Sequence, residues 1–235
     1  MMKDQIVFIT GGTSGYGKAM AIAFHKEGAK VIIAARNEAE LTATANEIGC
    51  DTFCMDVTDY NSWKKAKEMI LEKYGKLDVL INNAGGGIAI QNVSAFSKEQ
   101  IDQVIALNLS SIIYSANVFS PIFMEQKCGT ILNVSSVCAK ECWPEWSVYG
   151  AAKAGVQNFS KGLYTEMQPY GVRVSCIIPA QAATHFQAAA GLADSTCHLG
   201  TDDIAKTALF ICQLPPRAVV EEVTVWGIDQ MVIPL

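Results

Sequence analysis

Short runs of continuous apolar residues alternate along this chain with longer stretches whose apolar positions recur every three or four residues. The short runs predict strands over 5–10, 30–35, 51–55, 78–81, 129–134, 172–178 and 222–227. The periodic stretches predict helices over 15–27, 37–48, 59–75, 98–126, 147–168 and 201–213, with Gly28, Gly49 and Gly75 standing where helices end. Strands that are apolar throughout are buried on both faces, so this alternation predicts an α/β fold with a doubly wound parallel sheet of about seven strands. Right-handed crossovers then place helices on both sides of the sheet. No linker, low-complexity tract or repeat interrupts the pattern, and one domain over 1–235 is expected.

Ligands in such sheets bind beyond the carboxyl ends of the strands. The loop after Thr10, the end of the second strand near Ala35, the loop after Asn82 and the turn after Val134 should therefore converge. The first of these reads Thr10-Gly11-Gly12-Thr13-Ser14-Gly15-Tyr16-Gly17, directly after Ile6-Val7-Phe8-Ile9. Its glycines let the backbone turn sharply and approach a ligand, and the first helical N–H groups then face an anion such as a dinucleotide pyrophosphate. An ordinary strand–helix turn has the same composition.

Tyr149 and Lys153 stand at i and i+4 on a predicted helix, so the phenol and the ammonium share a face. A tyrosine titrates near ~10, and a neighbouring cation lowers that value toward the range useful for proton transfer. The spacing equally suits a surface pair on an amphipathic helix. Ser136 ends the strand Ile131–Val134 where a hydroxyl would point into the cleft, although a serine there also suits a turn or cap.

Half of the 235 residues are apolar and the formal charge is −5, which argues against a nucleic-acid or anionic-membrane partner. No apolar run reaches bilayer length and no leader-like segment precedes the first strand, so a cytoplasmic protein with no membrane partner is expected. The eight cysteines include no C-x-x-C pair and several lie in apolar runs, which predicts reduced thiols and no metal site. Cys197-His198 has no spaced partner pair.

The motifs Thr10-Gly11…Gly15-Tyr16-Gly17, Asp56-Val57, Asn82-Asn83-Ala84-Gly85, Asn108, Ser136, Tyr149…Lys153 and Pro179…Thr184 occur together in one order and spacing. In this the chain resembles the short-chain dehydrogenase/reductase family, of the short single-domain, Rossmann-type form. The resemblance implies Tyr149 as general acid/base, Lys153 lowering its pKa and holding the nicotinamide ribose, Ser136 polarising a carbonyl, and Asn108 anchoring a water relay. It implies that Gly11, Thr13, Ser14, Gly15, Tyr16 and Gly17 cradle the cofactor, that Asp56 and Val57 flank the adenine, and that Asn82, Ala84 and Gly85 support the strand end beside the adenosine ribose. Pro179 and Thr184 would border the nicotinamide. An acid at the end of the second strand would bind the ribose 2′-OH of NAD. Here Ala35 is followed by Arg36, which suits a 2′-phosphate, so NADP(H) is expected.

The family's usual Pro-Gly is Pro179-Ala180 here, and alanine does not readily take positive φ. Residues 184–200 are expected to form a short substrate lid. Cys138, Cys142, Trp143, Trp146, His185 and Phe186 are pocket candidates, the two tryptophans serving either as a wall for a bulky ketone or as packing. The implied reaction interconverts a ketone and a secondary alcohol, on a hydroxy acid or a bulky ketone such as a hydroxysteroid. The alternatives are a 3-oxoacyl-thioester reductase of fatty-acid type and a non-catalytic cofactor-binding regulator. The segment 214–224 resembles the tail of the family's hydroxy-acid and serine dehydrogenase branch. The apolar stretch 228–235 suggests burial against another subunit, and the resemblance implies a homotetramer or homodimer.

Overall fold

Residues 2–141, 143–181 and 199–230 are described in the computed structural model. The strands are β1 (Ile6–Thr10), β2 (Lys30–Ala35), β3 (Asp51–Cys54), β4 (Val79–Asn82), β5 (Gly129–Val134), β6 (Val172–Pro179) and β7 (Glu222–Val225). The helices are α1 (Gly15–Lys26), α2 (Glu38–Ile48), α3 (Tyr60–Tyr74), α4 (Lys98–Ile105), α5 (Ser111–Gln126), α6 (Ser147–Met167) and α7 (Thr201–Gln213). All seven strands run parallel in the order β3-β2-β1-β4-β5-β6-β7. The chain winds outward from β1 in one direction, then returns to its other side with β4. A crevice therefore opens beyond the carboxyl ends of β1 and β4.

Neighbouring residues of β1 go to opposite faces and both faces are buried. Val7 and Ile9 pack with Met20, Phe24, Ile204 and Ala208, which come from α1 and α7. Phe8 packs with Trp63, Ile70, Phe119 and Phe123, which come from α3 and α5. Phe8 meets the Trp63 ring edge-on at 6.4 Å. Burial on both faces is why the strand runs lack a polar alternation.

Local chemistry fixes the helix ends. Asn37 accepts from the amides of Ala39 and Glu40 at the start of α2, and Ser97 and Gln100 form a capping box on α4. Gly49 and Gly75 close α2 and α3 in the left-handed region, with φ of 82° and 71°. At the far end of α7, the half-buried Arg173 of β6 donates to the carbonyls of Ile211, Cys212 and Leu214 and to Thr130 Oγ1.

The single long helix expected over 98–126 is instead α4, a wide π-type turn over Ala106–Ser110, and α5. This continuous stretch, Lys98–Gln126, does have the length and mean hydropathy (1.3) of a membrane span, which corrects the reading taken from short apolar runs. Part of its apolar weight is buried within the fold, at Ile112, Phe119 and Phe123 among others, while Ile113 is exposed.

Candidate active site

The loop leaving β1 is held by its neighbours rather than by its own side chains. The amides of Gly11 and Gly12 donate to the Ala34 carbonyl of β2, and Asn83 Nδ2 donates to the carbonyls of Thr10 (2.9 Å) and Gly11 (3.2 Å). Thr10 Oγ1 accepts from the amides of Asn83 and Ala84, both at 3.1 Å. Gly11 has a φ of 66° and Gly17 approaches so closely that a Cβ there would lie 2.1 Å from the Gly11 carbonyl oxygen. Only glycine permits both.

This closed turn delivers α1 with its first N–H groups uncapped. Ser14 stands at the N-cap position, exposed, and makes no side-chain capping bond, and no acidic residue lies in the first turn. Such an open helix N-terminus at the crevice fits the pyrophosphate of a dinucleotide. Thr13 is partly buried beside it. Arg36, just past the end of β2, is exposed. Asp56 turns its carboxylate onto Thr58, accepting from its amide and hydroxyl at 2.8 Å each, and Val57 is buried with its carbonyl bonded by Trp63 Nε1.

The second half of the crevice is built from β4, β5 and α6. Asn82 is buried and donates to Asn133 Oδ1 on β5, whose amide nitrogen donates to Ser160 on α6, so it ties three elements together. Ser136 lies two residues beyond the end of β5 and accepts from the Cys138 amide at 3.2 Å, and its hydroxyl is close enough to Tyr149 to act on the phenol. The turn role and the cleft role of this serine are thus compatible. Tyr149 and Lys153 lie on adjacent turns of α6, the Lys153 Nζ 5.8 Å from the centre of the Tyr149 ring. Both are buried, Tyr149 at 7% and Lys153 at 3% exposure. The pair is therefore not a surface pair.

Burial decides the electrostatics here. Desolvation, reinforced by the Cys138 thiol and the Tyr16 phenol and opposed by the Ser136 hydrogen bond, pushes the Tyr149 phenol above its ordinary value. The Lys153 Nζ itself donates to the Val134 carbonyl at 3.0 Å. Desolvation also brings the Lys153 ammonium down from 10.5 to about 8. Asn108, fully buried in the wide turn, accepts from the Gly86 amide and donates to the carbonyls of Gly86 and Val104, all at 3.0 Å. Gly85 lies between Asn108 and Lys153: a Cβ on it would be 3.0 Å from Asn108 Oδ1 and 3.1 Å from Lys153 Nζ. Ala84 is partly buried beside this loop.

The two tryptophans part company. Trp146 meets the Tyr149 ring edge-on at 5.6 Å, in a cluster with Cys138, Ile90, Phe96 and Ile101, whereas Trp143 packs against the main core. Pro179 ends β6 and Ala180 continues it by donating to the Val225 carbonyl. Ala180 is not among the positive-φ residues, so its backbone makes no demand that glycine alone could meet. Thr184, His185, Phe186, Cys142 and the lid expected over 184–200, apart from Leu199 and Gly200, lie outside the described residues. Among the described residues no cluster of three metal-binding side chains occurs.

Residues whose part the sequence reading left open are Asn83, which fastens the glycine turn to β4, and Ser135, whose hydroxyl donates to the Lys153 carbonyl at 2.8 Å. Asn83 was visible only as the second letter of a motif. The apolar side chains Ile90, Phe96 and Ile101 gave no signal of their own.

The parallel sheet, the glycine turn and the buried Tyr149/Lys153 pair are those of a nucleotide-dependent oxidoreductase fold. Residues 5–194 match the family described as short chain dehydrogenase, and the chain belongs to that family. An uncharacterized oxidoreductase of Staphylococcus aureus (strain USA300) is 31% identical over 228 residues, covering 96% of this chain and 98% of the relative. Among solved structures, a 3-ketoacyl-(acyl-carrier-protein) reductase from Brucella melitensis complexed with NADH is 30% identical with a TM-score of 0.88, covering 96% of this chain and 98% of that one. A metagenomic short-chain oxidoreductase in complex with NADP is 26% identical with a TM-score of 0.85, covering 95% and 97%.

Proposed function

We propose that this chain is an NADP(H)-dependent oxidoreductase that interconverts a ketone and a secondary alcohol. The observation that carries the reading is the buried Tyr149, beside Ser136 and with Lys153 one turn further along α6, at the strand ends that also bear the glycine turn. The bound nicotinamide would supply the hydride. Tyr149 gives its proton to the carbonyl oxygen, its phenol being protonated at neutral pH, the state that reduction requires. Ser136 donates to the same oxygen as it gains negative charge. Lys153 favours the phenolate left behind, and Asn108, through its hold on the 85–86 loop, keeps Lys153 beside a path for proton return.

Arg36 supports NADP(H) over NAD(H), since it can pair with a 2′-phosphate. Thr13, Ser14 and the amides of residues 15–17 bind the phosphates, while Asp56 and Val57 border the adenine. Trp146, Phe96, Ile90 and Ile101 around Tyr149 support a bulky apolar ketone over a small hydroxy acid. A 3-oxoacyl thioester is the second reading, favoured by the likeness to the Brucella reductase. Exposed Phe210 on α7 and Ile113 on α5 support a homodimer or homotetramer, and a monomer by light scattering would refute that part.

Oxidation of NADPH and NADH across a panel of ketones, from 3-oxo acids and 3-oxoacyl thioesters to hydroxysteroid-type and aromatic ketones, tests the reading. Turnover with at least one ketone and a preference for NADPH is expected. No turnover of any ketone with either cofactor would overturn it.

A further inference from the structure

Between Gly15 and Gly17 the chain carries a large side chain, and it reaches across the crevice. Tyr16 donates its hydroxyl to the carbonyl of Ala180 at 3.0 Å, joining residues 164 apart in sequence. Both ends of this bridge are rigid. The turn that carries Tyr16 is closed by the contact of Gly17 with Gly11 and by Asn83 holding the Thr10 and Gly11 carbonyls. The acceptor belongs to a buried residue whose own amide is bonded to Val225 of β7. The bridge thus spans from the pyrophosphate-fitting turn to the end of β6, with the Tyr16 phenol near enough to interact electrostatically with Tyr149. An aliphatic side chain at this position would fill the space but could not fix the span, because it offers no donor.

We propose that Tyr16 is a positioning residue, a hydrogen-bonded strut between the glycine turn and the end of β6 that aims the nicotinamide half of the bound cofactor at Tyr149. The proposal rests on the dinucleotide reading above. It predicts an effect confined to one half of the ligand, since the adenosine half binds on the opposite side of the turn and gains nothing from the strut.

Tyr16→Phe removes the hydroxyl and keeps the ring. Isothermal titration of wild type and variant with NADP+ and with adenosine 2′,5′-bisphosphate separates the halves, with NAD+ and ADP titrated alongside. For whichever pair the wild type prefers, loss of one hydrogen bond should weaken the dinucleotide about three- to tenfold while leaving the adenine nucleotide fragment within about twofold. The kcat of any ketone turnover should fall in step, with little change in the ketone KM. Equal weakening of dinucleotide and fragment, accompanied by a lower melting temperature, would make Tyr16 a purely structural tether and overturn the proposal. Unchanged binding of both ligands would overturn it too. A wild type that binds no dinucleotide at all refutes the reading beneath it, a result distinct from either.

Discussion

On the β1–β3 side of the crevice the polar groups face water: Ser14 and Arg36 are exposed, and the helix N–H groups of α1 carry no side-chain cap. On the β4–β6 side, Tyr149, Lys153 and Asn108 are buried and bonded within the fold. The contrast reflects two tasks. Holding a charged, hydrated ligand calls for donors that are accessible and cost little to leave open. Proton transfer calls for groups taken out of water, where neighbouring charges and hydrogen bonds shift their pKa strongly.

The comparison predicts that chemistry and binding separate by side. Tyr149→Phe should lower turnover by about 10²–10⁴-fold while leaving NADP+ affinity nearly unchanged, and undiminished turnover would break the proposed mechanism. Arg36→Asp should act in the opposite sense, lowering NADPH affinity by about ten- to a hundredfold and reversing the preference toward NADH, with kcat little altered. A variant that still preferred NADPH would remove Arg36 from the site. Gly85→Ala sharpens the boundary, because its methyl would crowd both Asn108 and Lys153. Steady-state kinetics should show a several-fold loss of kcat, and denaturation a destabilisation of about 1 kcal/mol.

The smallest effect concerns stability and pH. The pKa of Lys153 in the folded chain, about 8, lies below its ordinary value of 10.5, so folding disfavours its ammonium form. Below that folded value the buried cation carries its full desolvation penalty, and the penalty fades as pH rises from 8 toward 10.5. Lys153→Met removes it. The stability of the variant relative to wild type, measured in urea at about pH 7 and about pH 10, should therefore be most favourable at the lower pH. A pH-independent difference would show that Lys153 titrates as it does in the unfolded chain.

Much of the scaffold was legible because it is written in local period. The apolar strands, the helices between them and the i, i+4 relation of Tyr149 to Lys153 need only neighbouring residues, and they occur where the spacing puts them. What escaped depends on which distant segments the sheet order brings together. Asn83 meets the glycine turn across more than seventy residues, and nothing near either one signals the contact. Trp143 and Trp146 looked alike in sequence, yet one faces the core and the other Tyr149, because a turn at Pro144 and Glu145, the latter with a φ of 73°, lies between them. The wide turn at Ala106–Ser110 was hidden by an apolar pattern that continues through it.

That wide turn has a consequence for how the family's chemistry can be switched off. Each residue in a regular helix advances about 100° around the axis, and a wide turn absorbs one extra residue locally, so deleting one residue between Ala106 and Ser110 would restore ordinary winding while keeping α4 nearly in phase with α5. The buried face of α5 would stay on the sheet, while Asn108 lost its grip on the 85–86 loop. A single residue thus separates a loop gripped by Asn108 from the same scaffold with that grip released.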